Sequence, residues 1–444
     1  MERLAYDNLL VWMYLVVWLL TCIWYHYKRM TIDAGSTIII AYVLYAYISI
    51  KSINDPIFSM EYKPLKIFPY IYLYVMMMIA LAPPIYYHLH PSTTLEDPNT
   101  RTLHWLGWLI IICAILLIPG IMENGSGGIS KLLTDSDAGK DAYNEALRES
   151  KDSGSAIRNL PAIIYNSMSD LSTFLLFFFL TQKKRNKLLI GGLFLSMFVG
   201  IAMPLMQGQR GGVIVSVSTA IVGYLIFRPY INKAINRIIQ IVGAVCLGII
   251  AIPIIAITIS RFGNESAGVN GYLNWYIGQG SLYFNNYALD DGGIRYGDRT
   301  LNLFKRVIDP ETSKNFNERR EKYHNLEMND EKFTTFVGDF TIDFGPTCAF
   351  VIFLLFNIWV LLKIRTDGET IKLHQLLLIF FCACVSIQGG MSLFTFADTS
   401  NLRIITIFSL YAYLRYHEVL LEKFPLNSES DVHREIEKRK EDLL

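Results

Sequence analysis

Arg210 lies in Met206-Gln-Gly-Gln-Arg-Gly-Gly-Val213 and is the only charge between residues 188 and 227. Glycines on both sides, Gly211 among them, let the backbone turn tightly and bring N–H groups toward a ligand. A guanidinium beside such N–H groups suits a phosphate or diphosphate through paired, charge-assisted hydrogen bonds. The competing reading is an interfacial arginine that reaches to lipid headgroups. Arg261, in Ile259-Ser-Arg-Phe-Gly-Asn-Glu265, and Arg403, in Phe396-Ala-Asp-Thr-Ser-Asn-Leu-Arg403, occupy comparable positions. If the fold gathers the three, they make an electropositive pocket.

Carboxylates and rings supply the other chemistry. In Thr334-Thr-Phe-Val-Gly-Asp-Phe-Thr-Ile-Asp-Phe-Gly-Pro346, Asp339 and Asp343 are four apart, so a helix puts them on one face. Either could act as general base on a sugar hydroxyl. Either could instead cap the helix or pair with an arginine. The cluster Tyr272, Trp275, Tyr276, Tyr283, Phe284 and Tyr287 could stack on sugars or mark the membrane interface. Tyr283 is taken from it as a candidate substrate contact. His88, His90 and His104 resemble a metal cluster, and Asp290-Asp291 a divalent-ion site. Neither is assigned, and no metal or cofactor is expected. Phosphate-loop, serine-hydrolase and zinc-protease motifs are absent. Six cysteines lie in or beside apolar runs without a C-x-x-C pair and read as small buried hydrophobes.

The elements that must position these residues are membrane spans. Of 444 residues, 52% are hydrophobic and 18% charged, against roughly 25% charged in soluble domains. An aromatic content of 13% argues against disorder. The balance of 40 Lys+Arg with 39 Asp+Glu argues against a nucleic-acid partner. A helix crosses a bilayer with about 20 mostly apolar residues. Apolar runs fall at 8–25, 36–50, 67–88, 103–120, 161–181, 188–206, 213–227, 238–259, 347–362, 373–388 and 404–416, the second being the shortest fit. They are too uniform for the alternating strands of a barrel. The chain is therefore expected to be all-α, a single polytopic domain over 1–444 with about 11 transmembrane helices.

Basic clusters set the orientation. Lys183, Lys184, Arg185 and Lys187 follow the fifth span, Arg228, Lys233 and Arg237 the seventh, and Lys363, Arg365 and Lys372 the ninth. The charged tail, 417–444, falls on the same side. This predicts a cytoplasmic C-terminus and an outer N-terminus, although Lys51, Lys63 and Lys66 lie on the outer side. The first span carries its basic residues after the apolar run, so it does not read as a cleaved signal. Two outer segments are long, 121–160 and 261–346.

On these residues the chain resembles the Wzy-type oligosaccharide repeat-unit polymerases, which build O-antigen and related surface polysaccharides. The resemblance rests on Gln207-Gly-Gln-Arg-Gly-Gly212 between two mid-chain spans and on Arg261-Phe-Gly263 opening the long loop. It rests also on Asp343-Phe-Gly345 before the next span and on Arg403 at the last one. It implies a GT-C-like bundle in the bacterial inner membrane with one large periplasmic loop. It implies polymerisation of undecaprenyl-diphosphate-linked oligosaccharide units at the periplasmic face, without a metal. Lipid-linked oligosaccharides would be its substrates, and a chain-length regulator and a flippase its partners. Arg210, Asp343 and Asp339 would then be catalytic, and Arg261, Arg403, Gly211 and Tyr283 would bind substrate. The alternatives are an O-antigen-ligase-like transferase and a polytopic transporter or flippase.

Overall fold

The computed structural model describes the chain except residues 1, 99–100, 135–159, 207–208, 263–265, 291, 314–315, 324–326, 328–331, 367–368, 392–397 and 424–444. Most of the expected outer segment 121–160 and of the charged tail therefore lies outside the described residues. The first eight long helices are α1 (Glu2–Arg29), α2 (Ala34–Ile53), α3 (Ile67–Leu89), α4 (Arg101–Thr134), α5 (Leu160–Thr181), α6 (Lys187–Met206), α7 (Arg210–Phe227) and α8 (Lys233–Phe262). The expected large loop is itself helical. It holds α9 (Gly268–Tyr283), α10 (Asn302–Ile308), α11 (Phe316–Glu321) and α12 (Thr335–Phe344). Then come α13 (Pro346–Ile364), α14 (Leu373–Gln388) and α15 (Asp398–Lys423). Among the described residues, nine helices are long and apolar enough to cross a membrane, while α14 is apolar but shorter.

Local chemistry explains several boundaries. The second apolar run becomes a 20-residue helix because Asp33 caps it, accepting from Ser36 N–H while Ser36 accepts from Asp33 N–H. Gly345, at φ 76° and ψ 159°, turns the chain between α12 and α13. Pro346 then occupies the first position of α13, where its missing N–H costs nothing.

Burial separates central helices from peripheral ones. The apolar window of α5 is 67% buried and that of α8 only 17%. Ile238, Ile241, Val245, Ile249, Ile252 and Ile255 make one exposed stripe along α8. So apolar a stripe belongs against lipid rather than water.

The connections touch at two opposite ends. At one end Thr94–Leu95 (β1) pairs in parallel with Thr370–Ile371 (β2). There Arg228 also donates to the Ile32 carbonyl at 3.3 Å. At the other end the N–H groups of Lys63 and Lys66 donate to the side chains of Asn286 and Asn285, both at 2.9 Å. There Thr335 N–H donates to the Met391 carbonyl at 2.6 Å, and Asn302 and Arg306 bind Asp398. The connection before α14 sits at one end and the one after it at the other. Its 16 residues therefore run the depth of the bundle.

Candidate functional site at one end of the bundle

Arg210 is the first residue of α7, and its side chain is buried. Its Nη1 donates to Thr258 Oγ1 at 3.0 Å. The guanidinium lies 4.7 Å from the Phe262 ring centroid and 5.3 Å from that of Tyr276. Ring faces attract a cation, most strongly where water is excluded. The backbone adds to this, because the N-terminus of α7 carries partial positive charge. Arginine and helix end together favour an oxyanion. The neighbouring glycine has a packing reason too. A Cβ on Gly212 would sit 2.7 Å from Pro204 Cβ, so it lets α6 and α7 approach closely. Gly211 lies in the same first turn, half-buried.

The aromatic cluster is packed against itself. Tyr272 stacks on Phe262 with centroids 4.8 Å apart and 4° between planes. Trp275 stacks on Phe58 at 5.0 Å, and Tyr276 meets Phe333 edge-on at 4.8 Å. The Lys332 ammonium sits 4.3 Å from the Trp275 centroid and pairs with Glu61 at 2.7 Å. Tyr283 is buried and donates to the same carboxylate. Burial alone would raise the Glu61 pKa, but its hydrogen bonds to Lys332 and Tyr283 outweigh that and hold it below the usual value. Burial, and then the bond to Glu61, push the Tyr283 phenol up.

Arg403, in the second turn of α15, faces α5. Its Nη1 lies 3.6 Å from Asp170 on α5, and its Nη2 is 3.5 Å from the Asn166 carbonyl. Asp170 is ten residues beyond the start of α5, about 15 Å along the axis at 1.5 Å per residue. Arg210 draws its contacts from α8 and α9, and Arg403 draws its contacts from α5. Arg261 is in the last turn of α8, and its side chain lies outside the described residues.

The two aspartates share a helix face as their spacing predicts, and that face is braced. Asp339 accepts from Arg299 Nε at 2.8 Å, with both side chains buried. Asp343 accepts from Arg299 N–H at 3.1 Å and from both Thr300 N–H and Oγ1 at 2.6 Å. Burial pushes the Asp343 carboxyl up to about 6 against the pull of those bonds. The brace extends outward through Arg319 Nε, which donates to the Asp298 carbonyl at 2.9 Å, and Lys305, 2.5 Å from Asp298. It reaches α15 through Asn401, which donates to the Thr300 carbonyl at 2.8 Å.

Nothing in the local sequence marks Arg299 as the partner of a carboxylate 40 positions away. Asp170 was missed by the sequence reading, although it is the lone carboxylate of the run 161–181. The histidines do not converge. His88 faces Asp33 at 3.9 Å, His90 meets Tyr86, and His104 meets Phe179. Among the described residues no three potential metal ligands cluster. Asp290 lines a cavity of about 200 Å³ with Gly293, Ile294, Thr341 and Pro346. Asp291 lies outside the described residues.

No protein-family model, curated protein or solved structure matches this chain.

Proposed function

We propose that this protein is a membrane glycosyltransferase that polymerises oligosaccharide units carried on a polyprenyl diphosphate. The observation that supports it most is the placement of Arg210. A buried guanidinium at a helix N-terminus, under aromatic rings of the outer segment, is suited to hold a diphosphate at the bilayer surface. In the reaction an acceptor sugar hydroxyl attacks the donor's anomeric carbon, and the bond from that carbon to the diphosphate oxygen breaks. Negative charge grows on the leaving diphosphate, where Arg210 and the α7 N-terminus stabilise it. The departing phosphate takes the hydroxyl proton. Asp339 and Asp343 hold Arg299 and Thr300 in place, so they act as braces in this scheme. In this reading the chain crosses eleven times, α14 and α15 joining the nine long apolar helices, with the site periplasmic and the C-terminus cytoplasmic.

The test is the polysaccharide ladder of a strain carrying Arg210→Ala. Long chains should vanish while the protein stays in the membrane at its normal level. A normal ladder with that variant sinks the reading. A ligase would instead leave free lipid-linked polymer when the gene is lost. A transporter is the second reading, and the charge pair at mid-span, Asp170 with Arg403, favours it. Loss of a flippase would trap single units on the cytoplasmic face.

A further inference from the structure

Glycosyl transfer at Arg210 gives no role to Asp170. A carboxylate halfway along a span is costly to insert, so it is a functional candidate by default. Asp170 is buried, and Arg403 supplies its counter-charge. The pairing is slack. At 3.6 Å it is well beyond the charge-assisted contact distance, about 2.7–2.9 Å for an ammonium or guanidinium on a carboxylate. Among the described residues, the other end of the guanidinium reaches a carbonyl at 3.5 Å. Arg403 Nε is buried without a partner among the described residues. Yet the Arg403 side chain is 28% exposed inside a helical bundle, which leaves a face for another group.

We propose that Asp170 is a positioning counter-ion, which holds Arg403 while the site is empty and yields it to a phosphate-class oxyanion. A phosphate offers several oxygens to the planar fork, which the single distant carboxylate does not. That the oxyanion belongs to a polyprenyl diphosphate rests on the function proposed above; that Arg403 accepts an oxyanion does not.

The test is thermal unfolding of the full-length protein in phosphatidylcholine nanodiscs, with and without millimolar pyrophosphate. Pyrophosphate should raise the Tm of the native protein, and Arg403→Gln should remove the part of that rise that persists in Arg210→Ala. Asp170→Asn leaves Arg403 without a counter-charge, so its Tm should fall. Pyrophosphate should then restore several degrees, a larger shift than in the native protein. If Asp170→Asn does not fold, the exchange Asp170→Arg with Arg403→Asp keeps the pair and should lose the pyrophosphate response. A Tm indifferent to pyrophosphate in both the native protein and Asp170→Asn overturns the proposal, unless phosphatidylglycerol nanodiscs supply the same Arg403-dependent shift. That last outcome assigns the site to a lipid phosphate. If the response holds while the Arg210→Ala ladder is normal, the anion site stands and the polymerase reading falls. If the ladder is lost without any such response, this inference falls alone.

Discussion

Arg299 and Asp339 illustrate what a single residue can hide. Both are buried, at 1% and 0% side-chain exposure, so removing one partner takes an ion-pair contact from a buried charge. Arg299→Met should destabilise the protein by about 3–5 kcal/mol, seen as a large drop in Tm, and Arg299→Met with Asp339→Leu should recover most of it. Equal losses in the single and double variants would deny the pairing. Asp343 adds a pH dependence. When folded it keeps its proton up to about pH 6, whereas its ordinary value is 3.8. The folded state thus holds more protons between those values, and stability from this group is complete below the lower value and lost as pH rises through the upper. Asp343→Asn should flatten the Tm profile across that window, and an unchanged slope would assign it to another group. Of this site, the shared face of Asp339 and Asp343 was legible, since it follows from helical spacing. Their partners were not, because Arg299 and Thr300 reach them only through a turn that the tertiary fold fixes.

Among the elements, α12 depends on the turn that ends it. Gly345 has φ 76° and ψ 159°, a region closed to residues with a Cβ. Gly345→Ala should cost about 1–3 kcal/mol and loosen the braced face of α12, read as faster hydrogen exchange over 335–344. Protection equal to the native protein's would show that the turn can relax. The long apolar runs revealed the spanning helices because lipid demands a continuous apolar surface. The second helix outgrew its run, since a capping box at Asp33 recruits polar residues that hydropathy ignores. α10 and α11, of seven and six residues, were invisible for a different reason. Such short helices carry too few turns for a periodic pattern, and tertiary contacts hold them instead.

For the whole molecule, the connections meet at two opposite ends as successive spans require, while the partners of a charged side chain could not be read. Basic clusters assign sides to connections, but a side chain's depth depends on which neighbour holds it. Arg403 looked like a headgroup contact and instead lies against Asp170 of α5. The sides can be checked directly. With native cysteines replaced, Lys63→Cys should react with an impermeant maleimide in cells with a permeabilised outer membrane, and Thr370→Cys only after lysis. Labelling of both before lysis would break the proposed orientation.

The lightly buried α8 also supplies Thr258 and Phe262, the hydroxyl and one of the rings that cover Arg210. The wall that meets the bilayer and the cover over the arginine are therefore one helix. Under the function proposed above, a substrate headgroup tethered to a long isoprenoid tail need never leave the leaflet to arrive there. In that reading its search is two-dimensional, along the plane of the membrane, and ends at the lightly buried side of the protein.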